Sequence, residues 1–187
     1  MRYAALLIAL VLCGNLSKAQ RNNAQLGIKG GVNIANYNDD AGSRDARIGF
    51  NAGILLHFHV KPQLAFQPEL VYSQQGADFG SVKQKVDYIN FPFLFQYLFN
   101  RGFRLQTGPQ IGVRAESELE YDNGVEVNNK RDIHSTDVSW VFGFGYLSSS
   151  NLGVDVRYNY GLTDVGKGPG ELKNRVWQLG MFYQFRR

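Results

Sequence analysis

The stretch Leu152–Leu162, LGVDVRYNYGL, sorts its side chains by every second residue. Leu152, Val154, Val156, Tyr158, Tyr160 and Leu162 are apolar or aromatic, while Gly153, Asp155, Arg157, Asn159 and Gly161 are small, polar or charged. Successive side chains of a strand point to opposite faces, so the alternation reads as a strand with one apolar and one polar face. Two surroundings satisfy such a strand. Either the apolar face packs into a core and the polar face meets water, or the polar face lines a closed barrel whose outside meets lipid.

Seven further stretches repeat the pattern: Gln25–Asn36, Arg47–Phe58, Leu64–Ser73, Tyr88–Phe99, Phe103–Ala115, Asp137–Tyr146 and Asn174–Phe185. Each runs about ten to twelve residues, which a tilted strand needs to cross a bilayer; strands of soluble proteins run nearer five or six. The connections alternate in length. His59–Gln63, Asn100–Gly102 and Leu147–Asn151 are short, whereas Tyr37–Ala46, Gln74–Asp87, Glu116–Thr136 and Thr163–Lys173 are long. Short turns at one end and long loops at the other form the pattern of an outer-membrane barrel. The expected fold is therefore all-β, an eight-stranded antiparallel up-and-down transmembrane β-barrel. An even strand number puts both termini on the short-turn side, expected to be the periplasm. Phe58, Phe66, Phe99, Phe103, Tyr146, Tyr183 and Phe185 gather near the short turns, where an interfacial aromatic girdle is expected.

The chain opens MRYAALLIALVLCGNLSKAQ. Arg2 is a short basic region, Ala4 to Leu12 an apolar one, and Ser17-Lys18-Ala19 offers small residues before a cleavage point. This reads as a secretory signal peptide over residues 1–19, leaving a barrel domain over 20–187. Lipidation at Cys13 would need a small residue before it, and Leu12 stands there. Cleavage after Ala19 removes the one Cys, so no disulfide is expected. Beyond residue 20 no apolar run is long enough for a membrane helix. The formal charge of +4 includes Arg2 and Lys18 of the leader, and the other basic residues are scattered, which argues against a nucleic-acid partner.

Several short stretches together carry a family resemblance: Gly27–Asn33 (GIKGGVN), Phe66–Ser73 (FQPELVYS), Tyr88–Phe95 (YINFPFLF), Thr107–Gly112 (TGPQIG), Gly143–Tyr146 (GFGY) and Arg157–Asp164 (RYNYGLTD). In these the chain resembles the outer-membrane β-barrel domain family of Bacteroidetes type, often labelled the porin family. The resemblance implies an eight-strand barrel in the bacterial outer membrane and carries no agreed catalytic motif. It also implies outer-membrane lipid, lipopolysaccharide and the barrel assembly machinery as partners. Many barrels end on an aromatic residue; here Arg186 and Arg187 follow Phe185.

The face opposite the apolar one collects Lys29, Glu69, Arg104, Arg114, Asp137, Asp155 and Arg157. An eight-strand barrel is just wide enough for its own side chains, so these charges must pair inside it. The expectation is an interior polar network that plugs the barrel rather than an open pore. Arg114 and Asp137 flank the same long loop and are expected to pair. His134, Ser135 and Glu116 could be imagined as the Ser–His–acid set of a barrel lipase or deacylase, but adjacent Ser and His rarely have the geometry. The acids of ESELEYDNGVEVNNKRD match no calcium loop, and its Asn123-Gly124 signals a hairpin ribbon continuing outward. The glycines of Gly30-Gly31, Gly143 and Gly145 lie inside strands and form no phosphate-binding loop. The reading is a monomeric outer-membrane barrel with a structural or surface-interaction role and external loops open to a protein or surface ligand. No enzymatic activity, cofactor or metal site is expected. The alternatives are a barrel enzyme acting on lipid and a narrow channel for small solutes; a soluble lipocalin-like carrier would need the opposite arrangement of faces.

Overall fold

The computed structural model describes residues 24–39, 42–43, 45–78, 82–121, 126–128, 134–166 and 172–185. The expected leader, residues 1–19, and Asn123-Gly124 lie outside these residues. Ten strands form one antiparallel sheet: β1 (Ala24–Asp39), β2 (Gly42–Ser43), β3 (Asp45–Lys61), β4 (Leu64–Asp78), β5 (Val82–Leu98), β6 (Phe103–Tyr121), β7 (Glu126–Asn128), β8 (Thr136–Leu147), β9 (Leu152–Asp164) and β10 (Lys173–Gln184). The eight long strands follow one another around the sheet in chain order, and β10 pairs back onto β1 from Gly27–Gln184 to Asn38–Lys173, closing the barrel. β2 adds to the long-loop end of β1 and β7 to the long-loop end of β6. Closure leaves the spanning region with no unpaired edge, which lipid would not satisfy.

The apolar side chains stand on the outside. Ile48, Val60 and Phe95 are 72, 66 and 61% exposed, and Val154, Val156, Leu162, Leu179 and Met181 share that face. So continuous an apolar wall has no solvent but lipid. Among the described residues no helix is long and apolar enough to cross a membrane.

At the short-turn end a 3-10 turn, Asn100–Gly102, joins β5 to β6. It bends through Arg101 at φ 72° and Gly102 at φ 88°. A Cβ on Gly102 would lie 2.1 Å from the Leu147 carbonyl oxygen, so glycine serves there both for its backbone angle and for close approach. His59 belongs to β3 rather than to the turn after it.

The strands outrun the stretches in which the alternation is legible, chiefly at the other end. β4 reaches Asp78, β5 starts at Val82 and β6 reaches Tyr121. Lys83, Lys85 and Asp87 of β5 face Glu120, Glu118 and Glu116 of β6, and Leu119 pairs with Val127 of β7. Of the ribbon expected from the fifth and sixth long strands, β6 does continue and pairs with the short β7, whereas β8 begins only at Thr136, and the Asn123-Gly124 turn lies outside the described residues. Inside this long-loop end lies an apolar cluster of Tyr37, Ala77, Val86, Tyr88 and Val165, with Leu172 packed against it.

Candidate functional site

The barrel interior brings together the polar faces of all eight long strands. Around the closed sheet β4 and β9 lie on opposite walls, with three long strands between them either way. Arg157 of β9 reaches Glu69 of β4 across that width. Nη1 donates to Oε2 at 2.7 Å and Nη2 to Oε1 at 2.8 Å. Nη2 also lies 2.8 Å from Oδ2 of Asp155, two residues before it on the same strand. Lys29 of β1 completes the group, 3.3 Å from Glu69 and 3.7 Å from Asp155. These two cations and two anions balance, as side chains almost wholly withdrawn from solvent must.

Amides brace the quartet. Gln67 donates to Glu69 at 2.7 Å and Gln106 to Asp155 at 3.4 Å; Gln96 donates to Gln106 at 3.0 Å. Gly143 makes room for them. A Cβ there would meet Gln106 Cγ at 2.8 Å and Arg157 Cγ at 3.0 Å, so the missing side chain is the space the long ones occupy.

A neutral layer lies further toward the long-loop end. Asn33 Nδ2 donates to Ser73 Oγ at 2.9 Å and to the Gln74 carbonyl at 2.7 Å. Its Oδ1 accepts from Asn51 at 2.7 Å and Gln178 at 3.1 Å. Gln110 donates to Ser139 at 3.1 Å. Buried Asn90 and Asn159 share this region. Sequence reasoning singled out charges and missed this amide layer, although Asn33, Asn51, Asn90, Asn159 and Gln178 carry the same alternation.

The remaining charges expected inside behave differently from the quartet. Arg104 is buried at the short-turn end, its guanidinium 5.1 Å over the Phe182 ring. Asp137 lies at the long-loop end opposite Gly112, not Arg114, and its Oδ1 accepts from Thr163 at 2.9 Å. Arg114 lies one step beyond Val113, which pairs with Thr136, and opposite Tyr88 of β5; a bulge follows it, Asp87 pairing with Glu116 and leaving Ala115 extra in β6. Its Nη1 donates to the His134 carbonyl at 3.5 Å. The expected Arg114–Asp137 pair is therefore corrected to Asp137 with Thr163.

His134 and Ser135 are exposed, and their backbones serve the rim: His134 N–H donates to the Val165 carbonyl and the Ser135 carbonyl accepts from Arg114 N–H. His57 is buried and hydrogen-bonded to Gln67 at 3.1 Å. Among the described residues no group of His, Cys, Asp and Glu could hold a metal.

On the outer wall Phe99, Phe103, Tyr146, Tyr183 and Phe185 are exposed near the short turns, with Phe58 and Phe66 partly covered. They pack as pairs, Tyr97 with Phe99, Phe103 with Tyr146 and Tyr183 with Phe185. A second aromatic group, which sequence reasoning missed, lies toward the long loops on β8–β10. Trp140 pairs across strands with Tyr160, and Tyr158 with Trp177. Arg175 lies over the Tyr160 ring at 3.7 Å and donates to the Gly161 carbonyl at 2.9 Å. Two grooves of about 630 and 520 Å³ indent the wall. Val154, Phe144 and Met181 line one and Phe95, Leu105 and Phe142 the other.

A family model described as outer membrane protein beta-barrel domain matches residues 18–166. Among solved structures the chain is similar to Neisserial surface protein A, at 14% identity and a TM-score of 0.66, covering 88% of this chain and 100% of that one. It is also similar to Ail, the attachment invasion locus protein of Yersinia pestis, at 15% identity and a TM-score of 0.54, covering 87% and 99%. At these identities the likeness is one of fold. No match is found among curated proteins. The closed eight-strand barrel, the apolar wall and the match over most of the chain agree, and the chain belongs to the outer membrane protein beta-barrel domain family of the bacterial outer membrane.

Proposed function

We propose that this protein is a closed, monomeric outer-membrane barrel with a structural or surface-interaction role, not an enzyme and not a pore. The observation that carries the reading is the Arg157–Glu69 pair across the barrel's width. With Lys29 and Asp155 it fills the middle of an interior that, at eight strands, has room for little else. The Arg104, Arg114 and Asp137 side chains extend the interior polar network toward the two ends. Phe58, Phe66, Phe99, Phe103, Tyr146, Tyr183 and Phe185 serve as the girdle at the inner leaflet.

In this reading residues 1–19 are removed on export and 20–187 form the barrel. Both termini lie in the periplasm and the long-loop end faces outward. Lipid and lipopolysaccharide cover the wall, and the barrel assembly machinery inserts it. The external contact surface is then the ribbon of β5–β7 that projects past the apolar belt, where Lys83 and Lys85 face Glu118 and Glu120. A structure of Ail in complex with the heparin analogue sucrose octasulfate gives a precedent for ligand binding on this fold.

Cysteine placement in intact cells tests the surface and the orientation together. A membrane-impermeant maleimide should label a cysteine replacing Glu118 and spare one replacing Pro62 in the first short turn. Labelling at 62 with protection at 118 would reverse the orientation and remove the proposed contact surface.

A further inference from the structure

Arg104 is the charge that the interior leaves over. It is the second residue of β6, at the short-turn end, and is 4% exposed. Its register partner is Gly145, and Asp155 lies beyond Gly145 on the next strand. Asp155 is engaged elsewhere, with Arg157 at 2.8 Å and Lys29 at 3.7 Å. Among the described residues the buried anion Asp137 lies apart, at the long-loop end with Thr163, which leaves Lys29, Arg104 and Arg157 against Glu69 and Asp155 in the rest of the interior, one cation in excess there.

The excess cation also lacks hydrogen bonds at two of its three nitrogens. Arg104 Nε and Nη1 are buried without an acceptor. The Phe182 ring, 5.1 Å below, stabilises the guanidinium through its π face but supplies neither a countercharge nor a lone pair in the guanidinium plane. Gln184 Nε2, at the same end of the barrel, is likewise a buried donor without an acceptor. Water could accept these hydrogen bonds, yet it would leave the charge uncompensated in a site walled by lipid-facing strands.

We propose that Arg104 holds a small inorganic anion, halide in size, at the periplasmic end of the barrel. Arg104 Nε–H and Nη1–H donate to it, and Gln184 Nε2–H is a further buried donor without an acceptor at the same end of the barrel. The bound ion closes the charge balance that Lys29, Glu69, Asp155 and Arg157 achieve among themselves. The site rests on the closed interior proposed above; a current through the pure protein would defeat that reading whether or not an anion binds.

The test uses the mature barrel in detergent micelles, with the heat-induced gel shift measured in sodium chloride and in sodium gluconate at equal ionic strength. Chloride should raise the midpoint by at least about 3 °C, saturating with concentration as a bound ligand does. Arg104→Met should abolish the difference between the two salts. Equal midpoints for the unmodified protein, or an unchanged difference in Arg104→Met, would overturn the site. Should Arg104→Met fail to fold, bromide-soaked crystals of the unmodified protein decide: an anomalous peak beside the guanidinium supports the site, and its absence removes it.

Discussion

Arg157 and Glu69 form a two-point ion pair between opposite walls of the barrel, Nη1 to Oε2 at 2.7 Å and Nη2 to Oε1 at 2.8 Å. The residues are separated by 88 positions in the chain, and no backbone hydrogen bond joins their strands. The pair therefore acts as a strut: it fixes the distance between walls that the sheet hydrogen bonds constrain only neighbour by neighbour. Its parallel geometry is the strong form of an arginine–carboxylate contact.

Breaking the strut on one side should be costly. Glu69→Ala removes Arg157's two-point acceptor and one partner of Lys29, and a loss of about 3–5 kcal/mol is expected for a buried pair broken on one side. The double substitution Glu69→Leu with Arg157→Met should lose less than the sum of the single losses. Urea unfolding in lipid vesicles gives the three values, and strictly additive losses would mean that the contact is not coupled.

Gly153 is the socket for Phe182. A Cβ on Gly153 would lie 2.2 Å from the ring's Cζ, so Gly153→Val forces the ring to move. Overpacking of this kind costs about 1–3 kcal/mol. Phe182→Ala in the same chain should recover part of the loss, whereas a neutral Gly153→Val would show that the ring is not lodged there.

The apolar cluster of Tyr37, Val86, Tyr88 and Val165 should hold the outer end shut. Val165→Asp puts a charge into it, and a local cost of about 3 kcal/mol is expected. Protease added outside intact cells should cut the variant faster while its gel shift persists. Loss of the gel shift would instead make the cluster part of the barrel's global stability.

Trp140 and Trp177, both outward-facing, sit toward the long-loop end of the wall. Brominated lipids should quench them more strongly with bromine near the headgroups than with bromine near the bilayer centre. Stronger quenching from the centre would shift the membrane along the barrel.

Much of this was legible in the chain. Period-two alternation alone puts Glu69, Asp155 and Arg157 on the face opposite Val154 and Val156. What alternation cannot give is which inward residues meet, because that depends on stagger between strands far apart in sequence. Arg114 and Asp137 show the point. They flank one loop and share an inward parity, yet the hairpin sets Gly112 opposite Asp137, and the extra Ala115 turns the outer part of β6 out of phase. The apolar cluster was hidden for another reason. Val86 lies before the stretch where β5 reads as a strand, and from Tyr88 on the segment is apolar on nearly every residue, so an inward tyrosine does not stand out from outward phenylalanines. Trp140, Tyr160 and Trp177 read as outward residues, but their common height on the wall depends on the register of β8, β9 and β10, which alternation does not give.

A closed interior is most directly tested by electrical recording from pure protein in planar bilayers. The Arg157–Glu69 strut and its amide neighbours should leave no continuous path for ions, so the baseline should stay flat, without reproducible steps of general-porin size. Stable large openings that persist across independent preparations would contradict the closed barrel and make the interior charges the lining of a channel.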